Sequence, residues 1–384
     1  MVLLSDPEEI KEMFAAPADA LLPGEGSRVA RDVLGDHSLV QLDGNEHIEQ
    51  RRILSPSFQG EGLQKLEDLM VETAEREIAA WPVGHTVEMY PLLQKMTIEV
   101  ILSTVFGLSS GQRHDHLRDS LIEVLDASSH LLSLMPITRW RLFGLAPWSR
   151  VKAALHRSDE LLFDLISKRR RDGDGGDDVL AALLVVSRDD GSPMSDREIR
   201  DQLMTLLTGG HETSASTLAW TFERLARSPS VLDRLLEEID TDEGDAYMTA
   251  TLQETLRCRP VIACLPRLVK RGIEIGDWTY PPGVALMPEP YLVHHDETLY
   301  PQPYVFRPER FLEKPPGTYE WIPFGGGRRR CIGLHFAMTE MKVILRAVLG
   351  TSRLRPISER DDAPRRRSVM VIPRAGAPVM LARR

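Results

Sequence analysis

The stretch from Trp321 to Glu340 constrains this chain more than any other: Trp-Ile-Pro-Phe-Gly-Gly-Gly-Arg-Arg-Arg-Cys-Ile-Gly-Leu-His-Phe-Ala-Met-Thr-Glu. Cys331 stands between a glycine- and arginine-rich loop and a segment with helical spacing. Gly325, Gly326 and Gly327 open backbone conformations closed to other residues and permit close approach to a bulky partner. Arg328, Arg329 and Arg330 make the loop electropositive, which favours thiolate over thiol at Cys331. From Gly333 onward Leu334, Met338, Met341 and Leu345 share one helical face, with Ala337 and Ile344 beside them. Cys331 therefore precedes a helix N-terminus, which stabilises negative charge further. A thiolate held in this way can be a nucleophile or a metal ligand.

The loop resembles the haem-binding loop of the cytochrome P450 superfamily. That pattern is Phe, two residues, Gly, one, Arg, one, Cys, one, Gly, and it stands here as Phe324, Gly327, Arg329, Cys331 and Gly333 without a mismatch. The resemblance implies that Cys331 is the axial thiolate to the iron of haem b. Many soluble bacterial members have histidine where Arg329 stands. The arginine is expected to reach a haem propionate as a permanent cation.

Composition allows an ordinary globular enzyme. The 384 residues carry 47 basic and 57 acidic side chains, a formal charge of −10, which argues against general nucleic-acid binding. No apolar run reaches the roughly eighteen residues of a membrane-spanning helix, and no signal-peptide pattern opens the chain, so a cytoplasmic protein without a membrane anchor is expected. The three cysteines, Cys258, Cys264 and Cys331, do not cluster and suit a reducing compartment. No polar linker divides the chain, so residues 1–384 are read as one domain.

Further along, His47 and Arg51 lie four apart on one helical face. By themselves they form an ordinary solvated basic face; the resemblance makes them ligands to haem propionates, with Arg267 a third. Ser195-Asp-Arg-Glu198 is a capping box opening a helix that runs to about Arg227, where Ser228-Pro229 stops it. Some 32 residues at ~1.5 Å rise would span ~48 Å. Gly209-Gly210-His211-Glu212-Thr213 sits in its middle, and two glycines inside a helix cost roughly 1 kcal/mol each relative to alanine. Read from the residues alone this is a kink. The resemblance places Gly209 and Gly210 over the distal haem face and Glu212 and Thr213 in proton delivery to oxygen. Glu254 and Arg257, at i and i+3 on a helix over 246–258, would be an unremarkable pair. In the family they are buried with an arginine from a later loop, here Arg310 of Phe306-Arg307-Pro308-Glu309-Arg310-Phe311, as a structural network.

The implied fold is mainly α with a small β region, a single large P450-type domain lacking part of the usual N-terminal segment. The implied activity is that of a haem-thiolate monooxygenase, using O₂ and electrons from a separate ferredoxin-type donor and its reductase, on an apolar small molecule such as a fatty acid, terpene or steroid-like compound. Its lining is expected from Leu131, Leu132, Leu134, Met135, Leu203, Met204, Leu206, Leu207, Val261, Ile262, Val369, Met370 and Val371, about half of them ordinary core. Arg139, Arg141 and the arginines at 365–367 could hold a carboxylate. The donor is expected to dock on Arg328, Arg330, Arg51 or Arg52, and Lys342. A non-catalytic haem-binding or gas-sensing protein would need no proton relay. A nucleotide-binding loop would need the Gly-Lys-Ser/Thr ending that Gly325–Gly327 lack. His294-His295-Asp296 lacks further ligands at metal spacing.

Overall fold

A computed structural model describes every residue except 130–146, 174–175, 189 and 264–265. Leu131, Leu132, Leu134, Met135, Arg139 and Arg141, expected to line the substrate site or its mouth, lie outside the described residues, as does Cys264.

The main helices are α1 (Pro7–Ala15), α2 (Gly44–Leu54), α3 (Gly60–Ile78), α4 (Met89–Thr104), α5 (Gln112–Ser129), α6 (Pro147–Asp172), α7 (Val179–Val185), α8 (Asp196–Arg227), α9 (Pro229–Thr241), α10 (Ala246–Cys258) and α11 (Leu334–Thr351). The strands are short: β1 (Val2–Leu4), β2 (Leu21–Leu22), β3 (Thr86–Glu88), β4 (Arg267–Val269), β5 (Ile273–Ile275), β6 (Trp278–Tyr280), β7 (Ala285–Pro288), β8 (Ser352–Pro356), β9 (Pro364–Arg367), β10 (Met370–Pro373) and β11 (Pro378–Arg383). They form small sheets ordered β1-β7-β4-β2, β3-β11-β8, β10-β9 and β5-β6. The expected mainly helical fold with a small β region is present. Short helical turns at Pro23–Gly26 and Arg31–Leu34 precede α2.

Local signals placed the helix ends. Asp6 caps α1, accepting from the amides of Glu8 at 2.8 Å and Glu9 at 3.2 Å, a contribution of about 1 kcal/mol. At α8 the capping box closes in both directions: the Ser195 amide donates to Glu198 Oε2 at 2.8 Å and the Glu198 amide to Ser195 Oγ at 3.2 Å. Most of α8 from His211 to Glu223 is buried, including Ser214, Ser216, Thr217 and Thr221. Two of its threonines fold back on the preceding turn: Thr217 donates to the Thr213 carbonyl and Thr221 to that of Thr217, each at 2.9 Å.

The contacts fall into two compact units. The first comprises Met1–Leu21, Met70–Thr97 and His211–Arg384. Its largest apolar core joins Leu93 and Met96 of α4, Leu218, Trp220 and Phe222 of α8, Leu235 of α9, Leu252 of α10 and Ile344, Leu345 and Val348 of α11. A second cluster seats α1 on the β1-β7-β4 sheet through Ile10, Met13, Val269 and Leu286. The second unit comprises Leu22–Leu69 and Ile98–Gly210. There α5 packs along α6, with the buried hydroxyls of Ser120 and Ser158 2.8 Å apart. Arg200 of α8, also buried, donates to Asp159 of α6 at 2.7 Å.

Candidate haem-thiolate site

In the first unit the cysteine loop is shaped by backbone conformations that only glycine adopts cheaply. Gly325 and Gly327 have φ of +66° and +60°. Gly326 is there for space: a Cβ on it would lie 2.6 Å from the Phe14 ring, and one on Gly327 would lie 2.5 Å from the Phe14 carbonyl oxygen. The end of α1 thus sets the loop's shape. The Cys331 amide donates to the Phe324 carbonyl at 2.9 Å, closing the turn that presents the sulfur. Cys331 is exposed, and a Cβ on Gly333 would meet nothing within 4 Å. A cysteine accessible on an open, arginine-bearing turn just ahead of a helix fits a thiolate ligand to a large cofactor. The buried Cys258 does not: burial pushes its thiol up to about 12.

Arg267 opens β4, and its guanidinium lies 5.1 Å from the Phe14 ring centroid. The same phenylalanine therefore supports one expected propionate ligand and the loop that carries another, Arg329.

Behind the loop lies the ion network. Glu254, Arg257 and Arg310 are all buried. Arg257 donates to both oxygens of Glu254, Nε at 2.7 Å and Nη2 at 2.9 Å, and Arg310 Nε reaches Glu254 Oε1 at 3.1 Å. The Arg307 amide adds a bond to the same carboxylate at 2.8 Å. Arg257 also donates to the carbonyls of His294 at 2.7 Å and Pro303 at 2.8 Å.

His294 extends the network toward the cysteine. It is buried, and burial pushes its pKa down to about 3, so the ring is neutral. Its Nε2 accepts from the Ile322 amide at 3.0 Å, two residues before Phe324. This histidine is a structural relay that sequence reasoning missed. The only signal for it was the His294-His295-Asp296 run, whose metal reading had been set aside.

On α8, His211 is buried and pushed by desolvation down to about 3, with its Nδ1 2.9 Å from the Thr97 hydroxyl. Glu212 is paired with Arg367 of β9 at 3.1 Å. That pair was not anticipated, and it engages one of the arginines expected to hold a substrate carboxylate. The following turns of α8 are pinned to β10: Ser216 Oγ and Trp220 Nε1 both donate to the Val371 carbonyl, at 3.1 and 3.3 Å. Val371 in turn donates to the Val261 carbonyl at 2.8 Å, and Ile262 bridges Met370. Two of the segments expected to touch substrate are thereby brought together. Of the expected lining, Leu203, Met204, Leu207, Val261 and Met370 are buried core residues, while Leu206, Ile262, Val369 and Val371 are partly or fully exposed.

In the second unit α2 carries His47, buried, and Arg51, partly buried, on one face. Gly210 packs against α4, where a Cβ would come within 2.9 Å of Ile101 Cδ1, whereas a Cβ on Gly209 would meet nothing within 4 Å. Close packing explains Gly210, whereas the space at Gly209 would admit a side chain. The helix runs unbroken through both.

Of the cations expected to receive an electron donor, Arg328 and Arg330 are exposed. Lys342 is paired with Asp245 and offers little unneutralised charge.

A mainly helical chain that presents a cysteine in this manner, with a buried carboxylate–arginine network behind it, has the features of a haem-thiolate protein. The chain belongs to the cytochrome P450 family, whose model, described as Cytochrome P450, matches residues 1–379. It is 36% identical over 384 residues to cytochrome P450 135B1 of Mycobacterium tuberculosis, covering 98% of this chain and 81% of that one. It is 35% identical to cytochrome P450 138 of the same species, covering 100% of this chain and 87% of that one. Among solved structures, the haem domain of cytochrome P450DA superposes with a TM-score of 0.86 at 22% identity, covering 100% of this chain and 87% of that one. A retinoic-acid-bound cyanobacterial cytochrome P450, CYP120A1, gives 0.86 at 22% identity, covering 100% and 89%. The cofactor is accordingly haem with a cysteine thiolate ligand, and the protein is an oxidoreductase of the haem-thiolate monooxygenase class. Among the described residues no helix is long and apolar enough to cross a membrane.

Proposed function

We propose that Cys331 is the thiolate ligand and that the enzyme oxidises an apolar small molecule, a fatty acid, terpene or steroid-like compound, with electrons from a separate ferredoxin-type protein. The haem, when bound, supplies the activation of O₂. The chain's own residues hold and protect it. His47, Arg51, Arg267 and Arg329 would neutralise the propionates, and the hydrogen bond that the Cys331 amide donates to the Phe324 carbonyl would orient the sulfur. Glu212 and Thr213 hold and pass protons on α8. Glu212 rests against Arg367, so delivering a proton inward requires its carboxyl to leave that arginine. Arg328 and Arg330 offer the docking charge for an acidic donor, an attraction that weakens as salt rises.

The observation that carries the substrate class is the tie between Val261–Ile262 and Met370–Val371 beside α8, apolar side chains on a backbone that cannot drift apart. With Arg367 engaged by Glu212, Arg365 and Arg366 remain, both exposed on β9, as partners for a carboxylate. Titrating a panel of compounds while following the haem spectrum tests this. Fatty acids, terpenes or steroids should give the shift of a displaced axial water. The shift with small polar or multiply charged compounds, and none with lipids or terpenes, would refute the substrate class and leave the haem assignment standing.

Thr213→Ala tests the proton path. The variant should bind haem normally, while product formation falls by about 10²-fold, the lower end for a positioned proton-transfer group. Reducing equivalents should then appear as peroxide or water. Wild-type coupling of electrons to product would remove this hydroxyl from the path.

A further inference from the structure

The stretch leading into α2 is held to α8 through its backbone. A short helical turn, Arg31–Leu34, ends at Gly35, whose φ is +91°. A Cβ on Gly35 would lie 2.0 Å from Asp201 Oδ1, so the chain passes directly over that carboxylate and only glycine fits. Asp201 is fully buried and accepts from the His37 amide at 3.1 Å. Arg200 supplies a counter-charge, donating to Asp201 at 3.1 Å and to the Val33 carbonyl at 3.3 Å. Gln202, also fully buried, holds the chain in both directions: the Leu39 amide donates to its Oε1 at 3.2 Å, and its Nε2 donates to the His37 carbonyl. Further along α8, the hydroxyl of Thr205 lies 2.7 Å from that of the buried Ser38.

The tie continues without slack to the expected propionate ligands. The Gln41 and Leu42 amides donate to the Ser38 carbonyl at 2.8 and 3.1 Å. Asp43 accepts from the amides of Gly24 at 3.0 Å and Glu25 at 3.3 Å. At the next residue α2 begins, carrying the buried His47 and, one turn later, Arg51. All these residues belong to the second unit, as does α8 up to Gly210.

Connecting segments ordinarily run over the surface with their backbone in water. Here residues 33–39 instead spend backbone donors and acceptors on side chains from little more than one turn of α8. A carboxamide donates and accepts in one plane, so Gln202 matches a carbonyl and an amide two residues apart. It contacts the backbone of 37–39 and not its side chains, so what it sets is the register of the segment on the helix.

We propose that Gln202, backed by Asp201, is a positioning residue for the haem propionates: it fixes residues 33–39 on α8, and thereby fixes where α2 places His47 and Arg51 relative to the exposed Gly209 face of the same long helix. The positioning role rests on His47 and Arg51 being propionate ligands, as proposed above; the docking of 33–39 does not.

The test uses the holoprotein, the near-isosteric Gln202→Met, which can form neither bond, and a His47→Ala/Arg51→Ala background. Hydrogen exchange resolved at single amides should find His37 and Leu39 protected in the wild type, and Gln202→Met should speed exchange at Leu39 about tenfold. Transfer of haem to excess apomyoglobin should also quicken about tenfold in Gln202→Met, and the resonance-Raman propionate bending band should move in the same direction as in the His47→Ala/Arg51→Ala protein. In that background Gln202→Met should add nothing further to haem transfer, because its effect passes through the two residues already removed. Its effect on the unfolding midpoint should persist there, since the brace itself is unchanged.

Unprotected His37 and Leu39 amides in the wild type, or unchanged exchange in a folded Gln202→Met protein, would overturn the docking. An unmoved propionate band, or haem-transfer effects that simply multiply across the two backgrounds, would reduce Gln202 to a structural brace and overturn the positioning role. Should Gln202→Met fail to fold, Thr205→Val, which removes only the Ser38 contact, takes its place in the same comparison with a smaller, several-fold effect. Wild-type haem transfer in His47→Ala/Arg51→Ala would instead refute the propionate reading, and the positioning role with it, while the exchange rates still decide the docking of 33–39.

Discussion

Cys331→Ser is expected to abolish the strongly red-shifted carbonyl band that reduced haem-thiolate proteins show, and monooxygenase turnover with it. A serine hydroxyl is far less acidic than a thiol, so the electropositive turn that favours thiolate cannot make it an equivalent anionic donor. The substitution is nearly isosteric, and Cys331 is exposed on a turn closed by its own backbone amide, so the fold should survive. Loss of the band from a folded protein then reports ligation and not collapse. Absorption spectra of the reduced protein with carbon monoxide, with circular dichroism as the folding control, provide the measurement. Retention of the band would remove Cys331 as the ligand.

Arg257→Ala should produce the largest stability loss. Arg257 is fully buried and donates to both Glu254 oxygens and to the carbonyls of His294 and Pro303. Removing it leaves a buried carboxylate to Arg310, the Arg307 amide and the weak Cys258 thiol, and two carbonyls that lose a donor. Breaking a buried pair from one side typically costs ~3–5 kcal/mol, a large share of the ~5–15 kcal/mol that holds a folded protein together. The damage should reach the cysteine loop, because the His294 carbonyl is bonded to Arg257 and its ring to the Ile322 amide. Soluble yield, haem per chain and the midpoint of denaturant unfolding should all fall. Arg257→Lys should recover only part of the loss, since one ammonium cannot reproduce the guanidinium fork. A stable Arg257→Ala protein with full haem content but no oxygen chemistry would make the residue catalytic instead of structural.

The sequence by itself determined what depends on near neighbours. The Ser195–Glu198 box and the Glu254–Arg257 spacing act over a few residues, so the α8 start and the i, i+3 pair were legible before any coordinates. The Phe324-to-Gly333 pattern was legible for the same reason, and through resemblance it indicated the cofactor. Tertiary structure decided what depends on partners distant in the chain. Gly326 needs its missing Cβ because Phe14, some three hundred residues earlier, occupies the space. Arg367, counted among possible substrate anchors, is engaged by Glu212, and Lys342, counted as docking charge, is engaged by Asp245. Leu203, Met204, Leu207, Val261 and Met370 are buried, in keeping with the expectation that about half of the apolar set is ordinary core, because hydrophobic spacing marks a buried face without saying what it is buried against. Glu340 is the clearest case. Its place beside Ala337 and Ile344 could be read from the helical repeat, but only the fold shows that it is buried with no hydrogen-bond partner among the described residues, and a carboxyl's charge is set by its surroundings and not by its neighbours in sequence.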